Sequence, residues 1–275
     1  MNTLTLLMAL MLGLLTVPGE ENSSLAKENG YVINLDRAEK LEKMTYSSLF
    51  SKAGIIVLED TDESLLGKVD KLEVCDNNLY VLEKGRGLFL FNKQGKFIKM
   101  IGRQGKGPGE YIDPDDISID RENKKIYVLD SQTQNVLKYS GNGTFESSFK
   151  LENKGTRSTF IQPFKNALYT NLYTFDKSGK RFLLSKVDVT NGKRISFQFE
   201  ASQYNKGWNE LFSTNQHTFI SGPTGNPKFM QIFMDTIFEI TPKGIKPYIT
   251  LQSKKLVTQR YGCIMIIVSI FGIFT

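Results

Sequence analysis

Histidine, cysteine and tryptophan are scarce in this sequence, and their scarcity excludes several functions. The 275 residues include one histidine, His217, two cysteines, Cys75 and Cys263, and one tryptophan, Trp208. One histidine rules out a multi-histidine metal site and leaves His217 as the sole histidine base for a serine or cysteine nucleophile. Two distant cysteines give neither a metal-ligand spacing nor a disulfide framework. Cys75 lies in a strand-like run, so we expect a buried free thiol there.

The sequence also lacks apolar runs long enough to cross a membrane comfortably. It has two apolar runs, and both are shorter than that. The first, Leu4–Val17, has the length of a signal-peptide core and precedes Pro18-Gly19 and acidic residues. Its leading residues carry no lysine or arginine, so a buried N-terminal helix is the alternative. No cysteine follows this run, which excludes a bacterial lipoprotein anchor. We expect export to the periplasm or the cell surface, with a signal-like segment over 1–19 and a polar linker over 20–30.

The second apolar run, Cys263–Phe274, has 12 residues and breaks the alternating pattern before it. It fits a core strand, a marginal membrane anchor, or a tail foreign to the fold, such as an early stop or a frame change would leave. We set it apart as an atypical apolar tail over 257–275. Membrane association is expected only through the two terminal apolar runs.

The sequence has more positive than negative charge, but the positive residues are not concentrated in one segment. The formal net charge is +6, but the lysines are scattered and many stand beside turn glycines. A nucleic-acid interface needs a basic stripe on one element, and none is visible. We interpret the lysines as a solvated surface and expect no nucleic-acid partner.

Four turn glycines set a period in the chain. Gly95, Gly143, Gly192 and Gly244 are spaced 48, 49 and 52 residues apart, and each stands between two runs of alternating apolar residues. Tight hairpin turns place a residue at positive φ, which glycine adopts without strain. The pattern therefore predicts four hairpins in similar places of a repeated unit.

Two more strands are predicted upstream of each hairpin. These pairs are Lys71–Cys75 with Leu79–Glu83, Asp116–Asp120 with Ile126–Asp130, Thr159–Phe164 with Ala167–Thr174, and His217–Ser221 with Lys228–Met234. Four-stranded units at a period of 40–50 residues are typical of a β-propeller, and a β-sandwich is the alternative. We therefore expect an all-β propeller over 31–256.

The most specific block is Phe91–Tyr111, with the sequence FNKQGKFIKMIGRQGKGPGEY. Together with GIIVLE, KLEVCDNNLYVLEKG, IYVLD and DTIFEITPKGIKPYI, it resembles the six-bladed β-propeller proteins common in gut and oral Bacteroidetes, which are related in form to NHL-repeat propellers. The resemblance covers roughly Tyr31 to Leu251. It implies a six-bladed, exported protein whose ligand is undefined.

The blade count departs from that family. Only four copies of the unit fit between Gly67 and Leu251, with part of a further blade supplied by Tyr31–Asp60. Six blades at this period need about 290 residues. We expect an incomplete propeller, and our hypothesis is a truncated or frame-shifted member with an open ring.

Two segments before the repeats have local predictions of their own. Gly54–Glu59 (GIIVLE) is a continuous β-branched run, which is typical of a buried strand. Lys40–Ser51 has a weak helical period.

The glycine-rich connector Gly102–Tyr111 is the first motif to weigh for chemistry. It lacks the spacing of a phosphate loop and of a dinucleotide fingerprint, because Lys106 precedes a glycine and no helix follows. We interpret it as a blade-to-blade joint fixed by Glu110 and Tyr111, with ligand contact as the alternative.

The other candidates for a functional role are several carboxylates and the aromatic residues of one loop. Asp113, Asp115 and Asp116 suit calcium in principle, but solvation is the simpler interpretation. Glu83 and Asp130 end equivalent strands, and repetition favours a structural role, since a catalytic residue is needed once. The loop Tyr204–Phe212 holds Trp208, which packs under the loop or stacks on a sugar or peptide.

No residue set in the sequence has the pattern of a catalytic, cofactor or metal site. We expect a non-enzymatic binding or scaffold propeller that engages a protein, peptide or glycan and needs no cofactor. The alternatives are a metal-dependent propeller hydrolase or lyase, which needs inward ligands in the central channel, and a non-functional truncated fragment.

Overall fold

The computed structural model describes residues 30–37, 45, 47, 50–52, 54–153, 155–174, 180–204, 218–222, 225–231 and 234–253. These residues belong to two units, one within Val57–Asn215 and the other within Leu6–Ile56 and Gln216–Thr275. No helix among the described residues is long and apolar enough to cross a membrane.

Several predicted features lie outside the described residues. They are the signal-like run Leu4–Val17, most of the linker 20–30, most of the helix predicted over Lys40–Ser51, and the apolar tail 257–275. His217, Trp208 and Cys263 lie outside them as well.

The first unit contains three four-stranded antiparallel sheets among its described residues, here called blades 1 to 3. The chain reaches them after β1 (Tyr31–Asn34) and a 3₁₀ turn, Leu35–Arg37, both of the second unit. Blade 1 is formed by β2 (Lys71–Cys75), β3 (Asn78–Glu83), β4 (Gly87–Asn92) and β5 (Phe97–Ile101). Two short parallel strands follow in the connector, β6 (Arg103–Gln104) and β7 (Glu110–Tyr111). Blade 2 is formed by β8 (Pro114–Asp120), β9 (Lys125–Asp130), β10 (Asn135–Ser140) and β11 (Phe145–Lys150).

Blade 3 is the last sheet of this unit, and short strands accompany it. A two-stranded pair joins β12 (Thr156–Arg157) to β15 (Tyr173–Thr174). The blade itself is formed by β13 (Ile161–Phe164), β14 (Ala167–Asn171), β16 (Phe182–Asp188) and β17 (Arg194–Glu200), and a short helix α1 (Ala201–Tyr204) follows.

The second unit contains the fourth repeat. Its strands are β18 (Phe219–Ile220), β19 (Lys228–Phe229), β20 (Thr236–Thr241) and β21 (Gly244–Gln252), paired in the order of the chain. The strand β1 adds a fifth member, because it pairs in parallel with β21 from Tyr31↔Ile249 to Asn34↔Gln252. The four repeats were predicted correctly, and the fold class is an all-β propeller. Tyr31–Asp60 was expected to supply part of a further blade, but β1 instead joins the sheet of the fourth repeat through its pairing with β21.

The four hairpin glycines have the positive φ values that the repeat pattern predicted. Gly95, Gly143, Gly192 and Gly244 have φ values of +83°, +78°, +75° and +138°. At Gly192 the close approach of a neighbour adds a second requirement, since a Cβ there would lie 1.9 Å from the carbonyl oxygen of Lys150. The turn of blade 3 therefore packs directly on the end of β11.

The buried strands and the outer strands of each blade differ in their patterns. In β3 and β9 every residue after the first is buried, so both faces of these strands are covered. In β5 burial alternates along the strand, because only one face is covered. LYVLE and IYVLD are accordingly runs of apolar residues up to their terminal carboxylates. FIKMI differs, since its exposed face also carries apolar side chains, Ile98 and Met100.

Successive residues of β9 enter two different cores. Ile126 and Val128 pack with blade 1 side chains such as Leu82 and Leu88. Tyr127 and Leu129 pack with blade 3. Because side chains alternate across a strand, blade 2 buries one face on each neighbour.

The prediction for Gly54–Glu59 was wrong. No strand forms there, and Ile55 and Val57 are 61% and 62% exposed. The backbone amide of Glu59 donates to Gly95 O, and its carboxylate accepts the amide of Phe97. A β-branched run indicates burial only where sheets cover both of its faces, and this segment lies beside a turn.

Three other strands are shorter than predicted. The strand expected from Thr159 begins at Ile161, because the amides of Thr159 and Phe160 donate to Asn171 Oδ1. In the second unit, β18 and β19 have two residues each. Pro227 stands directly before β19 and has no amide hydrogen to extend the ladder.

Gly85 and Gly192 have different surroundings, and comparing them tests how closely the blade 3 turn packs on β11. Gly85 has a φ of +81° with open space around its Cβ position, whereas Gly192 faces the Lys150 carbonyl. We expect Gly85→Ala to lower the free energy of unfolding by about 1–2 kcal/mol through backbone strain. Gly192→Ala should cost about 1–3 kcal/mol more, because the backbone must move. Urea titration of both variants measures this, and equal losses would contradict the close packing of Gly192 on β11.

A buried phenol makes a pH-dependent contribution to stability. Burial raises the pKa of Tyr127 to about 12, whereas a tyrosine in an unfolded chain ionises near pH 10. The folded state therefore holds the proton more tightly, so this contribution is complete below pH 10 and is lost as the pH rises through about 12. The loss from this residue is at most about 2–3 kcal/mol.

Tyr127→Phe isolates that contribution. The variant keeps the ring in its core and should match the parent at pH 7. Between pH 10 and 12 its denaturation midpoint should fall less steeply than that of the parent. Parallel pH profiles for the two proteins would disprove the assignment.

Candidate functional site

Tyr111 and Tyr139 hold the connector Gly102–Tyr111 in place. The buried Tyr111 hydroxyl donates to Ile101 O at 2.9 Å and accepts the amide of Leu88 at 3.2 Å. The Tyr139 hydroxyl donates to Gly109 O at 3.0 Å. Both phenols thus tie the connector to strands on either side of it, which confirms its interpretation as a joint.

Gly102 must be a glycine for two reasons. Its φ is +69°, and a Cβ would lie 2.5 Å from the Tyr111 ring and 2.6 Å from the Tyr139 hydroxyl. At this position the glycine therefore follows from close packing with the two tyrosines.

The backbone amides of the connector already bind an anion of the chain itself. Glu110 accepts the amide of Gly107 at 2.8 Å and the Nε of Arg103 at 2.6 Å. The hydrogen bond from Gly107, followed by that from Arg103, lowers the pKa of the Glu110 carboxyl. The place that a bound phosphate would take in a phosphate loop is thus filled by a side chain.

Glu83 and Asp130 have the structural role that their repetition predicted. The Asp130 carboxylate accepts the amides of Ile112 at 2.7 Å and Thr133 at 3.1 Å. Glu83 accepts the amide of Gly67 at 3.3 Å and pairs with Arg86. These oxygens satisfy loop amides that have no strand partner.

Blade 3 uses a neutral side chain for the same purpose. Asn171 ends β14, as Glu83 ends β3, and its Oδ1 accepts the two amides before β13. An amide oxygen serves as well as a carboxylate at this position, so the repeated acids carry no chemistry that requires a charge.

The acidic residues near β8 do not converge on one point. Asp113 accepts the amide of Gly85, and Asp115 accepts the hydroxyl of Ser131. Asp116 is fully buried and contacts Lys71 instead. Among the residues that the structure describes, no group of three His, Cys, Asp or Glu side chains could hold a metal ion.

Charged side chains link the first strands of the three blades. Lys71, Asp116 and Ile161 occupy equivalent registers opposite Leu82, Leu129 and Thr170. Lys71 Nζ lies 2.8 Å from Asp116 Oδ1, and Asp116 Oδ2 accepts the amide of Ile161 at 2.8 Å.

A second ion pair completes this network. Arg121 pairs with Glu73 at 3.0 Å, and Lys71 lies 3.8 Å from the same carboxylate. Burial opposes the charge on Lys71, but Asp116 and Glu73 outweigh burial and raise the pKa of its amine. Both carboxylates therefore have cationic partners, and the network serves to join blades.

Open space lies beside blade 2, between its last strand and the connector. A cleft of about 710 Å³ separates the connector from β11. The connector contributes Gly105–Pro108 and Glu110, and blade 2 contributes residues of its outer strands. The lining from blade 2 comprises Asp130, Thr133, Asn135, Phe145, Ser147, Ser148 and Lys150.

Polar groups in this cleft are available to a ligand. The Thr133 hydroxyl oxygen is buried and has no hydrogen-bond partner among the described residues. Lys106 and Lys150 are exposed, and neither forms an ion pair with the part of the chain that the structure describes. The carboxylates of Glu110 and Asp130 are engaged by the amides above. The cleft thus offers two cations, hydroxyls and the Phe145 ring.

Sequence reasoning placed the connector but missed the cleft. Lys106 was considered only as part of a phosphate loop, and neither Phe145 nor Lys150 was considered as a binding residue. Cys75 was predicted correctly, as a buried free thiol. A signal for the ion network did exist, since Lys71 and Asp116 stand the same number of residues before the ends of their strands.

The fold and these interfaces define the class of the protein as a β-propeller of four-stranded blades. A family model for a domain of unknown function, DUF4934, matches residues 30–264, and the chain belongs to this family. No curated protein matches it.

One solved structure supports the propeller fold, and two others resemble the chain less closely. A Bacteroides fragilis protein, BF0058, described as exported, superposes with a TM-score of 0.56 at 22% identity, over 72% of this chain and 54% of that one. A streptogramin B lyase gives 0.45 at 20% identity, over 72% and 59%. A member of the DUF4221 family from Bacteroides vulgatus gives 0.47 at 9% identity, over 66% and 57%. The chain therefore spans less than two thirds of each of these structures.

The ion network gives a direct stability prediction. In Lys71→Met the carboxylate of Asp116 loses its cation while fully buried, so the free energy of unfolding should fall by about 3–5 kcal/mol. The matched control is Lys180→Met, which breaks an exposed pair with Glu200 and should cost no more than about 1 kcal/mol. Chemical denaturation measures both, and similar small losses would refute the network's role in joining blades.

Proposed function

We propose that this chain is a non-enzymatic binding propeller that works outside the cytoplasm and holds a protein, peptide or glycan. The observation that carries the proposal is the cleft between the connector and β11, with its unpaired hydroxyl, two free lysines and an aromatic ring. Ligand pockets combine apolar surface with a few polar groups in this way.

The buried ion network and the connector of the first unit support the same assignment. The network of Lys71, Glu73, Asp116 and Arg121 is internally paired, and the connector amides are taken by Glu110. Groups that are already paired offer little to a ligand, whereas those of the cleft are free to make new hydrogen bonds.

Export and the six-bladed type belong to this proposal. Export is supported by the signal-like run Leu4–Val17 and by the fold shared with the Bacteroides fragilis protein described as exported. The six-bladed type is supported by the repeat period and the block Phe91–Tyr111.

A cleft-filling variant tests the proposed function. The parent is screened on an array of immobilised peptides and bacterial and host glycans. Ser148→Tyr places a ring in the cleft, and we expect it to weaken every bound spot by about tenfold or more, which corresponds to about 1.4 kcal/mol.

Ser202→Tyr is the matched control, since Ser202 is also exposed but lies on α1, away from the cleft. It should bind as the parent does. The proposal fails if the parent binds no member of the array, or if Ser148→Tyr binds as well as the parent.

A further inference from the structure

The strand β11 (Phe145–Lys150) is the outermost strand of blade 2. The sheet order is β11-β10-β9-β8, and no further strand pairs with β11 among the described residues. An edge strand presents a row of unpaired N–H and C=O groups that can pair with another extended chain. The edge of β11 ahead of Lys150, whose carbonyl packs on Gly192 of blade 3, is therefore a potential main-chain binding surface.

The cleft reaches this edge. Ser148 and Lys150 share one face of blade 2, because they pair with Leu137 and Asn135, which are two residues apart. Ser147 pairs with Lys138 and belongs to the opposite face. Since a cleft bordered by Ser147 and Ser148 touches both faces of the strand, it extends to the backbone edge between them.

The charge along this edge selects the kind of partner. Lys106 on the connector and Lys150 on β11 border the cleft from opposite sides. Of the acidic residues nearby, Glu110 is bound to Arg103, Asp130 to the backbone amides of Ile112 and Thr133, and Glu146 to Lys125. The surplus of free positive charge favours carboxylate side chains on the incoming segment.

The second unit shows what such an edge accepts. There β1 adds to the outer strand β21 in parallel over four residue pairs. All four residues of β1 are exposed, so few side-chain contacts support this pairing and backbone hydrogen bonds carry much of it. The outer strand of a blade in this protein can thus take an extended segment.

The edges of blades 1 and 3 lack these features. β5 exposes Ile98 and Met100, and β17 exposes Ile195 and Phe197, so both present apolar side chains. The start of β5 also contacts Glu59, whose carboxylate accepts the amide of Phe97. By contrast, β11 exposes Glu146, Ser147 and Ser148 beside a cleft.

We propose that the outer edge of β11 binds an extended acidic peptide segment by strand addition, with its carboxylates beside Lys106 and Lys150. This inference rests on the proposed binding function and names its ligand class. The peptide becomes a fifth strand of blade 2, held by main-chain hydrogen bonds, while side chains on one of its faces enter the cleft.

Fluorescence anisotropy with the full chain tests the proposal. The probes are three labelled octapeptides: alternating valine and aspartate, alternating valine and lysine, and the aspartate peptide with every backbone amide N-methylated. We expect saturable binding of the aspartate peptide alone. N-methylation should weaken binding by about tenfold or more, because it removes the main-chain donors while leaving the charge.

Charge reversal tests the position of the site. Lys106→Glu/Lys150→Glu should weaken the aspartate peptide by about tenfold, while Lys93→Glu/Lys96→Glu, at an exposed turn of blade 1, has the same net charge and should bind like the parent. Hydrogen exchange should slow at the amides of β11 when the peptide is bound.

Three results overturn the inference. Equal binding of the methylated and unmethylated peptides would show electrostatic attraction without strand addition. A second result is that the aspartate peptide does not bind, while array ligands bind the parent and are weakened by Ser148→Tyr. The proposed function then stands, and the acidic peptide is rejected as its ligand. Loss of both kinds of binding rejects both proposals.

Discussion

Burial of both faces of each middle strand is the constraint on which this structure depends. β9 places Ile126 and Val128 against blade 1, and Tyr127 and Leu129 against blade 3. A side chain of this size gains about 1.5–3 kcal/mol when it leaves water, so a blade without neighbours on both sides would forfeit much of its stability. The repeated unit in the sequence is thus stable only next to its copies.

The polar groups are arranged around that requirement. Chain segments that pass from blade to blade cannot join a strand ladder, so their amides need other acceptors. Glu83, Asp130 and Asn171 supply those acceptors at equivalent strand ends. The tyrosines at the connector satisfy carbonyls in the same way. The buried charged groups described above therefore serve assembly, and the outer cleft combines an unpaired hydroxyl with two exposed lysines.

Particular residues show how much of the fold the sequence predicts. Hairpin glycines such as Gly143 and continuous runs such as IYVLD follow from local physics, since positive φ favours glycine and double burial demands unbroken apolar strands. The same rule failed at Gly54–Glu59, where an apolar run lies beside a turn and stays exposed. The connector was correctly interpreted as a joint, because its glycine spacing matches no phosphate-binding motif.

The sequence by itself determined the class of fold, the period of the repeat, the position of the joints and the structural role of the repeated carboxylates. All of these depend on contacts within one unit or between equivalent positions of successive units. Only the tertiary structure decided where a ligand is expected to bind. The packing of blades brings Thr133, Phe145 and Lys150 close to the connector. Side chains from other strands determine whether Lys106 is free and whether Lys71 is paired. Such contacts leave no regular spacing in the chain.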